Sequence, residues 1–513
     1  MKKFNVTGLC IPEKHYMADI SNKVNKIVNM VNEGEYFTIN KPRQYGKTTT
    51  MLAIKRKLSE DYEVIDVSFE GIGDEMFKSE EIFCKEVFDI FAQQVEFDNE
   101  DLAEKLYELS NSNTNFKMLS RNITKLIRSL HKDLVLIIDE IDKSSVNRVF
   151  IQFLGMLRNK YLAQASGKDL TFKSVILGGV NDIKNMKLNI RDERDRVFNS
   201  PWNVASDFTV DMSLSTDEIE YMLKEYSVEN NIIMDTKAIS KEIRYFTSGY
   251  PYLVSRICKN INDYLNREWT LEGVRKSIKL ILKKPNTLFD DIIKNINNYS
   301  ELKSIIYEIL VEGRKFNYNY FAYEKGIIYG LLREKDNKLI ISNKIFEEFL
   351  YNYIIEDKKI RDLASKFIDV EENQFINNGK LDMEKCIIKF QEVMYEQYRK
   401  EDEKFYETHG RLIFLAYLKP ILNGKGFSFI EPRTRQNKRM DVVITYGNEK
   451  FIVEMKIWNG QKYEERGIHQ LKEYLDIQGV EKGYLITFNF NKNKKYTSQW
   501  IDVDNKKIFD VIV

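Results

Sequence analysis

A chain of 513 residues exceeds what one hydrophobic core supports, and 43% hydrophobic with 31% charged residues excludes disorder, so roughly two to four domains are expected. The net charge of +1 excludes a chain-wide basic field and confines any nucleic-acid binding to local patches. Cys10, Cys84, Cys258 and Cys386 are far apart with no CxxC pair, no run nears the roughly 20 apolar residues of a bilayer span, and MKKFNVTGLC is no signal peptide; this excludes a disulfide framework and predicts a cytoplasmic protein without a membrane partner.

The first elements alternate. Residues 36–40 (YFTIN) predict a strand, the loop KPRQYG follows, and a helix is expected over 47–58. Further strands are expected at 62–69 (YEVIDVSF), 133–142 (DLVLIIDEID) and 172–180 (FKSVILGGV). The unbroken apolar run before Asp139 suits a strand buried on both faces. Strands alternating with helices predict a parallel sheet flanked by helices, an α/β domain over 1–210.

The loop after the first strand carries chemistry. Gly46, Lys47 and Thr48 form the GK[ST] end of a phosphate-binding loop. Glycine lets the backbone approach phosphate, lysine reaches the terminal phosphates, and the hydroxyl ligates Mg2+ at a helix N-terminus. The first glycine of GxxxxGK[ST] falls on Lys41, so the motif is degenerate. The strand ending in Asp139 and Glu140 supplies its complement: the first acid holds Mg2+ and the second polarises the attacking water. Two acids at a strand end are often merely solvated. In combination with strand–GKT–helix they point to ATP and Mg2+, with Thr48 and Asp139 as metal ligands.

Residues 211–294 predict a helical lid. LSTDEIEYMLKEY offers Ser215 or Thr216 as N-cap with acids in the first turn, and SGYPYLVSRICKNI breaks at Gly-Tyr-Pro before a helix. Over 295–375, helices around the strand-like turn GLLREKDNKLIISN fit a winged-helix connector.

From IPEKHYMADI through YFTINKPRQYGKTTTMLAI and VSFEG, and on to about residue 290, the chain resembles the AAA-like ATPases that many bacteria carry fused to nuclease domains. In that family the first glycine of the loop is commonly replaced. The resemblance implies ATP binding by Gly46, Lys47 and Thr48, with Asp139 and Glu140 as the second acidic motif. It implies Asn181 as a sensor of the γ-phosphate, with Ser174 as competitor, and sets Pro251 near the nucleotide. Arg256 would contact the nucleotide or stand as a surface arginine, and Arg191, Arg194 and Arg196 offer an arginine finger or a solvated loop. Relatives form rings or dimers, so a homo-oligomer is among the implied states.

From 376 the pattern becomes α+β. A long helix over about 383–422 leads into FSFIEPRTR, and the runs 440–446 and 450–457 predict a hairpin around Gly447, Asn448 and Glu449. A helix over about 467–478 and the strand GYLITFNF follow. Asp441 opens the first hairpin strand, and Glu454 and Lys456 share one face of the second. Charges inside a sheet rich in Val and Ile require pairing or a metal. Phosphodiester hydrolysis uses such a set, carboxylates holding Mg2+ and lysine positioning water, although a salt-bridged hairpin satisfies the same pattern.

RMDVVITYGNEKFIVEMKIWNG resembles the PD-(D/E)xK nuclease fold, over about 400–490. The resemblance implies a restriction-endonuclease-like domain over 376–513 with Asp441, Glu454 and Lys456 as its core set. Met440 stands where a proline is usual. Glu407, with Glu403 as competitor, matches the first-helix acid, Gln470 the accessory polar residue, and His469 is a neighbour only. Glu407, Asp441 and Glu454 would then ligate Mg2+ or Mn2+. Arg433, Arg435, Lys438 and Arg439 would hold a phosphate backbone or form a solvated loop, and Trp458 would stack on a base or pack in the core.

The whole predicts an ATPase joined to a metal-dependent nuclease, with cleavage of DNA gated by or coupled to ATP; a role in defence against foreign DNA follows by analogy with such fusions. The other reading is an ATPase-driven regulatory switch or scaffold whose nuclease-like domain binds nucleic acid or protein without cutting. Glu454→Ala separates them, since a binder would keep its activity.

Overall fold

The computed structural model describes residues 2–142, 144, 147–180, 202–310, 316–355, 372–397, 407–422, 426–429, 442–446, 449–458, 460–491 and 495–513. The chain divides into two compact units, Met1–Asn298 with Asn319–Arg333 and Ser342–Ile345, and Tyr299–Tyr318 with Glu334–Ile341 and Phe346–Val513.

In the first unit, β1 (Phe37–Asn40), β2 (Glu63–Ser68), β3 (Leu134–Asp139) and β4 (Ser174–Gly179) form a parallel sheet in the order β1-β4-β3-β2. One parallel bridge, Phe37 to Ser206, extends it beyond β1. Alternation along β3 sends Val135 and Ile137 to one face, with residues of α1 (Ser21–Asn32) and α2 (Lys47–Leu58) such as Ile27 and Ile54. It sends Leu134, Leu136 and Ile138 to the other, with α3 (Glu80–Val95), α4 (Glu100–Ser110), α5 (Phe116–Ser129) and α6 (Arg148–Ala165), where Phe88 and Phe153 are buried. Each such side chain contributes about 2 kcal/mol by leaving water, which explains the unbroken apolar run in the sequence: both faces of β3 are covered.

The residues expected from the sequence to form a lid are helical: α7 (Thr216–Asn230), α8 (Thr236–Thr247), α9 (Pro251–Tyr264) and α10 (Leu271–Lys283), followed by α11 (Thr287–Asn298). Ser215 rather than Thr216 caps α7: its hydroxyl accepts from the Glu218 amide while Glu218 accepts from the Ser215 amide, a reciprocal capping box. Gly249 has to be glycine, because its φ is +74° and a Cβ there would lie 2.1 Å from the Leu214 carbonyl oxygen. The chain can therefore turn sharply before Pro251, which opens α9 where a missing N–H is harmless.

Next come α12 (Ser300–Leu310), α13 (Tyr320–Ile328), the hairpin β5 (Leu332–Lys335) and β6 (Lys338–Ile341), and α14 (Lys344–Ile355). Asp336 and Asn337 both take positive φ, 53° and 57°, as a two-residue hairpin turn demands.

Further along the second unit come a short hairpin, β7 (Ile376–Asn377) and β8 (Lys380–Leu381), then α15 (Met383–Gln397) and α16 (Glu407–Leu422). The sequence reads 383–422 as one helix; the described residues show two, with 398–406 between them outside the described set. Strands β9 (Gly426–Phe429), β10 (Val442–Tyr446), β11 (Glu449–Ile457), β12 (Lys482–Phe488), β13 (Ser498–Val503) and β14 (Lys506–Ile512) form a mixed sheet ordered β13-β14-β12-β11-β10-β9. The predicted hairpin is β10 and β11, antiparallel, with Val442 opposite Val453. On one face α17 (Gln461–Gln478) buries Leu471, Tyr474 and Leu475 with Ile452 and Leu485. On the other, Phe390 of α15 meets Phe414 of α16 and Phe488 of β12.

Candidate functional site

The β1–α2 loop wraps at the carboxyl end of the first sheet. Gly46 caps α2 with a φ of +79°, a conformation that glycine adopts without strain. Lys41, where the motif's first glycine is missing, is not among the residues of positive φ, so its backbone needs no glycine. The degenerate position is thus compatible with the loop. Lys47 is 5% exposed, and its ammonium donates to the Lys41 and Pro42 carbonyls at 3.0 and 3.2 Å. Burial pushes its pKa down, against the opposing charges of Glu140, Asp139 and Asp142.

The hydroxyl of Thr48 donates to Asp139 Oδ2 at 3.0 Å. Asp139, 5% exposed at the end of β3, also accepts the Glu140 amide on Oδ1 at 2.8 Å. A carboxylate and a hydroxyl at this spacing suit a small hard cation with oxygen ligands. Glu140 has a φ of +56°, a left-handed backbone that costs a non-glycine residue about 1 kcal/mol and is concentrated at functional sites. Burial raises the Glu140 carboxyl above the usual range, while Lys47 pulls it back. Gly178 makes room for the acids: a Cβ there would sit 2.5 Å from Asp139 Oδ1.

The turn that leads into α9 meets this loop directly. Tyr250 donates its hydroxyl to the Arg43 carbonyl at 2.6 Å, and its ring lies edge-on to Tyr45 at 4.8 Å. A Cβ on Gly46 would lie 3.8 Å from the Pro251 ring. At the loop's tip Gln44 donates to Thr287 at 2.9 Å and Arg43 pairs with Asp291 at 3.6 Å, both on α11. Beside Gly46 opens a cavity of about 440 Å³ lined by Tyr45, Thr49, Pro251 and Arg256, and by Thr7 and Cys10 of the N-terminal arm. The arm is held to α7 by Phe4, whose ring lies 5.0 Å from Tyr226 and 5.8 Å from Trp269, with Tyr16 of the arm itself at 5.0 Å. A cavity of this volume beside the loop lies within the range of small-molecule sites.

Of the residues the sequence singles out, Gly46, Lys47, Thr48, Asp139 and Glu140 come together, and Pro251 and Arg256 border them. Ser174 does not: it opens β4, at the end of the strand away from the loop, and its hydroxyl is held by the Glu35 carbonyl. Asn181, Arg191, Arg194 and Arg196 lie outside the described residues. Sequence reasoning passes over Tyr250, although it stands in the Gly-Tyr-Pro run, because a hydroxyl aimed at a carbonyl 207 residues away leaves no periodic trace.

In the second unit Glu454 is fully buried on β11 and pairs with Lys456 at 2.7 Å. Burying a carboxylate beside an ammonium costs desolvation that the pairing offsets only in part. Gly467 lets α17 lie close: a Cβ there would touch Lys456 Cγ at 3.4 Å and Leu485 Cδ1 at 3.5 Å. Gln470 follows on the same helix, one turn on, so the helix that carries it also covers Lys456. His469 is exposed and faces Glu473 at 3.5 Å. Asp441, Glu403, Arg433, Arg435, Lys438 and Arg439 lie outside the described residues, as does the side chain of Glu407, the first residue of α16. Glu454 with Lys456 suits one carboxylate ligand beside a water-positioning lysine.

A family model described as an AAA-like domain matches residues 13–352, and one described as the PD-(D/E)XK nuclease superfamily matches residues 427–499. Among solved structures, a Walker-type ATPase of Pyrococcus abyssi is similar over 68% of this chain and 99% of its own, at 14% identity and a TM-score of 0.48. The ORC1 protein of Aeropyrum pernix, in complex with DNA, is similar over 68% and 94% at 10% identity and a TM-score of 0.31. No curated protein matches the chain.

Proposed function

The chain belongs to the AAA-like domain family and ends in a domain of the PD-(D/E)XK nuclease superfamily, and from that premise we propose that it hydrolyses ATP in its first unit and cuts DNA in its second, with the nucleotide gating the cut. The observation that carries the reading is the joint of Lys47, Thr48, Asp139 and Glu140 at the strand ends, beside a cavity of about 440 Å³.

On this reading ATP displaces the Lys47 ammonium from the Lys41 and Pro42 carbonyls, which act as its resting partners, and draws it to the terminal phosphates. Thr48 and Asp139 would hold Mg2+, which supplies charge neutralisation at those phosphates. Glu140, on its left-handed turn, orients the attacking water, and Arg256 and Pro251 close the lid side. Asn181 remains the proposed γ-phosphate sensor.

Gating is supported by connectivity. The loop's tip is tied to α11 by Gln44–Thr287 and Arg43–Asp291, and α11 is the last helix before the chain passes at Tyr299 into the second unit. We read 1–210 as the ATPase core, 211–294 as lid, 295–375 as connector and 376–513 as nuclease.

In the nuclease, Asp441, Glu454 and Glu407 would hold Mg2+ or Mn2+, which activates water and stabilises the leaving oxygen. Lys456 positions that water, with Gln470 on the covering helix. Pairing of the next residue, Val442, with Val453 supports Asp441 as the partner of Glu454. Arg433, Arg435, Lys438 and Arg439 are the proposed phosphate-backbone contacts. Among the described residues no helix is long and apolar enough to cross a membrane, and the four thiols are free. By analogy with ATPase–nuclease fusions, we take the protein to work in the cytoplasm in defence against foreign DNA. The test is Mg2+-dependent phosphate release, wild type against Lys47→Ala, paired with plasmid cleavage, wild type against Lys456→Ala.

A further inference from the structure

The turn that carries Glu140 is held from its far side by a group that the ATPase reading does not use. Asp142, two residues on, accepts the Val180 amide on both carboxylate oxygens, each at 2.9 Å. The Ile141 amide donates to the Gly178 carbonyl at 3.1 Å, and the Glu140 amide to Asp139 Oδ1 at 2.8 Å. Three successive residues of the turn are therefore fixed, each by its own hydrogen bond, to β3 or to the end of β4. The same end of β4 accepts the Lys41 amide on the Gly179 carbonyl at 3.1 Å, so it holds the phosphate loop as well. Two glycines permit this crowding: a Cβ on Gly178 would meet Asp139 Oδ1 at 2.5 Å, and one on Gly179 would meet Asp142 Oδ1 at 3.3 Å.

A left-handed glutamate survives only where its surroundings over-determine it. With the Asp142 bonds lost, the Ile141 amide bond to the Gly178 carbonyl would have to hold the turn beyond Glu140, and the residue can relax toward an ordinary φ and swing its carboxylate away from the line of attack. The Asp142 carboxylate accepts the Val180 amide just past β4 on both of its oxygens, and that bond is charge-assisted. We propose that Asp142 is a positioning residue for hydrolysis, clamping the Glu140 turn to the end of β4 so that Glu140 stays aimed while the loop binds phosphate. This rests on the ATPase reading. Asp142 touches neither nucleotide nor metal in this scheme, so its removal lowers turnover and leaves binding in place.

The experiment compares wild type, Asp142→Ala and Asp142→Asn in three measurements: Mg2+-dependent ATP turnover, affinity for a non-hydrolysable ATP analogue, and melting temperature. Asparagine retains a side-chain oxygen to accept the Val180 amide; alanine does not. We expect alanine to lower kcat between about 10-fold and 100-fold, the scale of a misplaced catalytic group, with the analogue's Kd within about twofold of wild type. Asparagine should restore kcat to within about threefold. If alanine does not fold, Asp142→Ser takes its place in the same comparison. A fall in affinity and melting temperature with kcat unmoved makes Asp142 merely structural and overturns the proposal, as does wild-type turnover in the alanine or serine variant. Wild type that binds but never hydrolyses ATP overturns the ATPase reading instead, and the positioning role falls with it.

Discussion

The Thr48 hydroxyl lies 3.0 Å from the Asp139 carboxylate, joining the first turn of α2 to the end of β3. These two oxygens come from segments far apart in the chain, yet stand where one small cation would take both. Thr48→Val and Asp139→Asn should therefore each weaken ATP binding at least about tenfold in Mg2+ and little in excess EDTA, because the metal's share of the binding is what they remove. Calorimetric titration in both buffers checks this; equal loss with and without metal would contradict it.

Lys47 and Glu140 divide binding from chemistry. Lys47→Met should abolish measurable ATP binding. Glu140→Gln should keep binding and lower turnover on the order of a hundredfold, since only the water-orienting carboxylate is lost. Fluorescent-nucleotide binding beside phosphate release distinguishes the two variants.

Tyr250→Phe removes the hydroxyl bonded to the Arg43 carbonyl but keeps the ring against Tyr45. It should cost about 1 kcal/mol of stability and weaken ATP binding several-fold. Gly249→Ala should do far more, because its Cβ would collide with the Leu214 carbonyl. A lower melting temperature for the first unit, larger for alanine 249 than for phenylalanine 250, is the expected order.

Lys160 is almost wholly buried and donates to Ser120, Thr124 and Asp169. Burial raises the Asp169 carboxyl, but bonds from Lys160, Thr124 and the Leu170 amide outweigh it and leave the pKa below the usual value of 3.8. Burial at the same time lowers the Lys160 pKa. Three donors at 2.7 to 2.8 Å hold the Asp169 carboxylate in its charged form. A depressed carboxyl stabilises the fold above its unfolded pKa, and that share fades as pH falls from about 4 through the folded value. Lys160→Met should cost about 2 kcal/mol at neutral pH, Asp169 being 24% exposed, and should flatten the acid limb of stability against pH.

How much of this is legible in the sequence depends on the reach of the interaction. The strand, GKT and helix are local, and α2 spans 47–58 as expected because Gly46 caps it and Met51, Ile54 and Leu58 face the core. The Asp139–Glu140 strand and the Glu454/Lys456 strand are legible because each carries a run of consecutive buried apolar residues that ends in or encloses its acid. The clamp from Asp142 to Val180 and the bond from Tyr250 to Arg43 are not, since each joins residues that only the fold brings together. The choice between Asn181 and Ser174 needs the strand's direction: Ser174 is at its start, away from the loop.

Lys456→Ala removes the 2.7 Å partner of a fully buried carboxylate. It should cost about 3 kcal/mol of stability in the second unit and abolish cleavage, while Glu454→Gln, of equal size, abolishes cleavage with the fold kept. Circular dichroism melts beside plasmid nicking separate those effects.

The central claim is tested most directly by incubating plasmid and single-stranded DNA with Mg2+ or Mn2+, with and without ATP, for wild type, Lys456→Ala and Lys47→Ala. The account predicts that wild type cuts and that its cutting depends on ATP. Lys456→Ala should hydrolyse ATP without cutting, and Lys47→Ala should lose the response to ATP. Wild type that hydrolyses ATP yet cuts nothing under any nucleotide or metal condition would contradict the account and favour a switch that binds without cleaving.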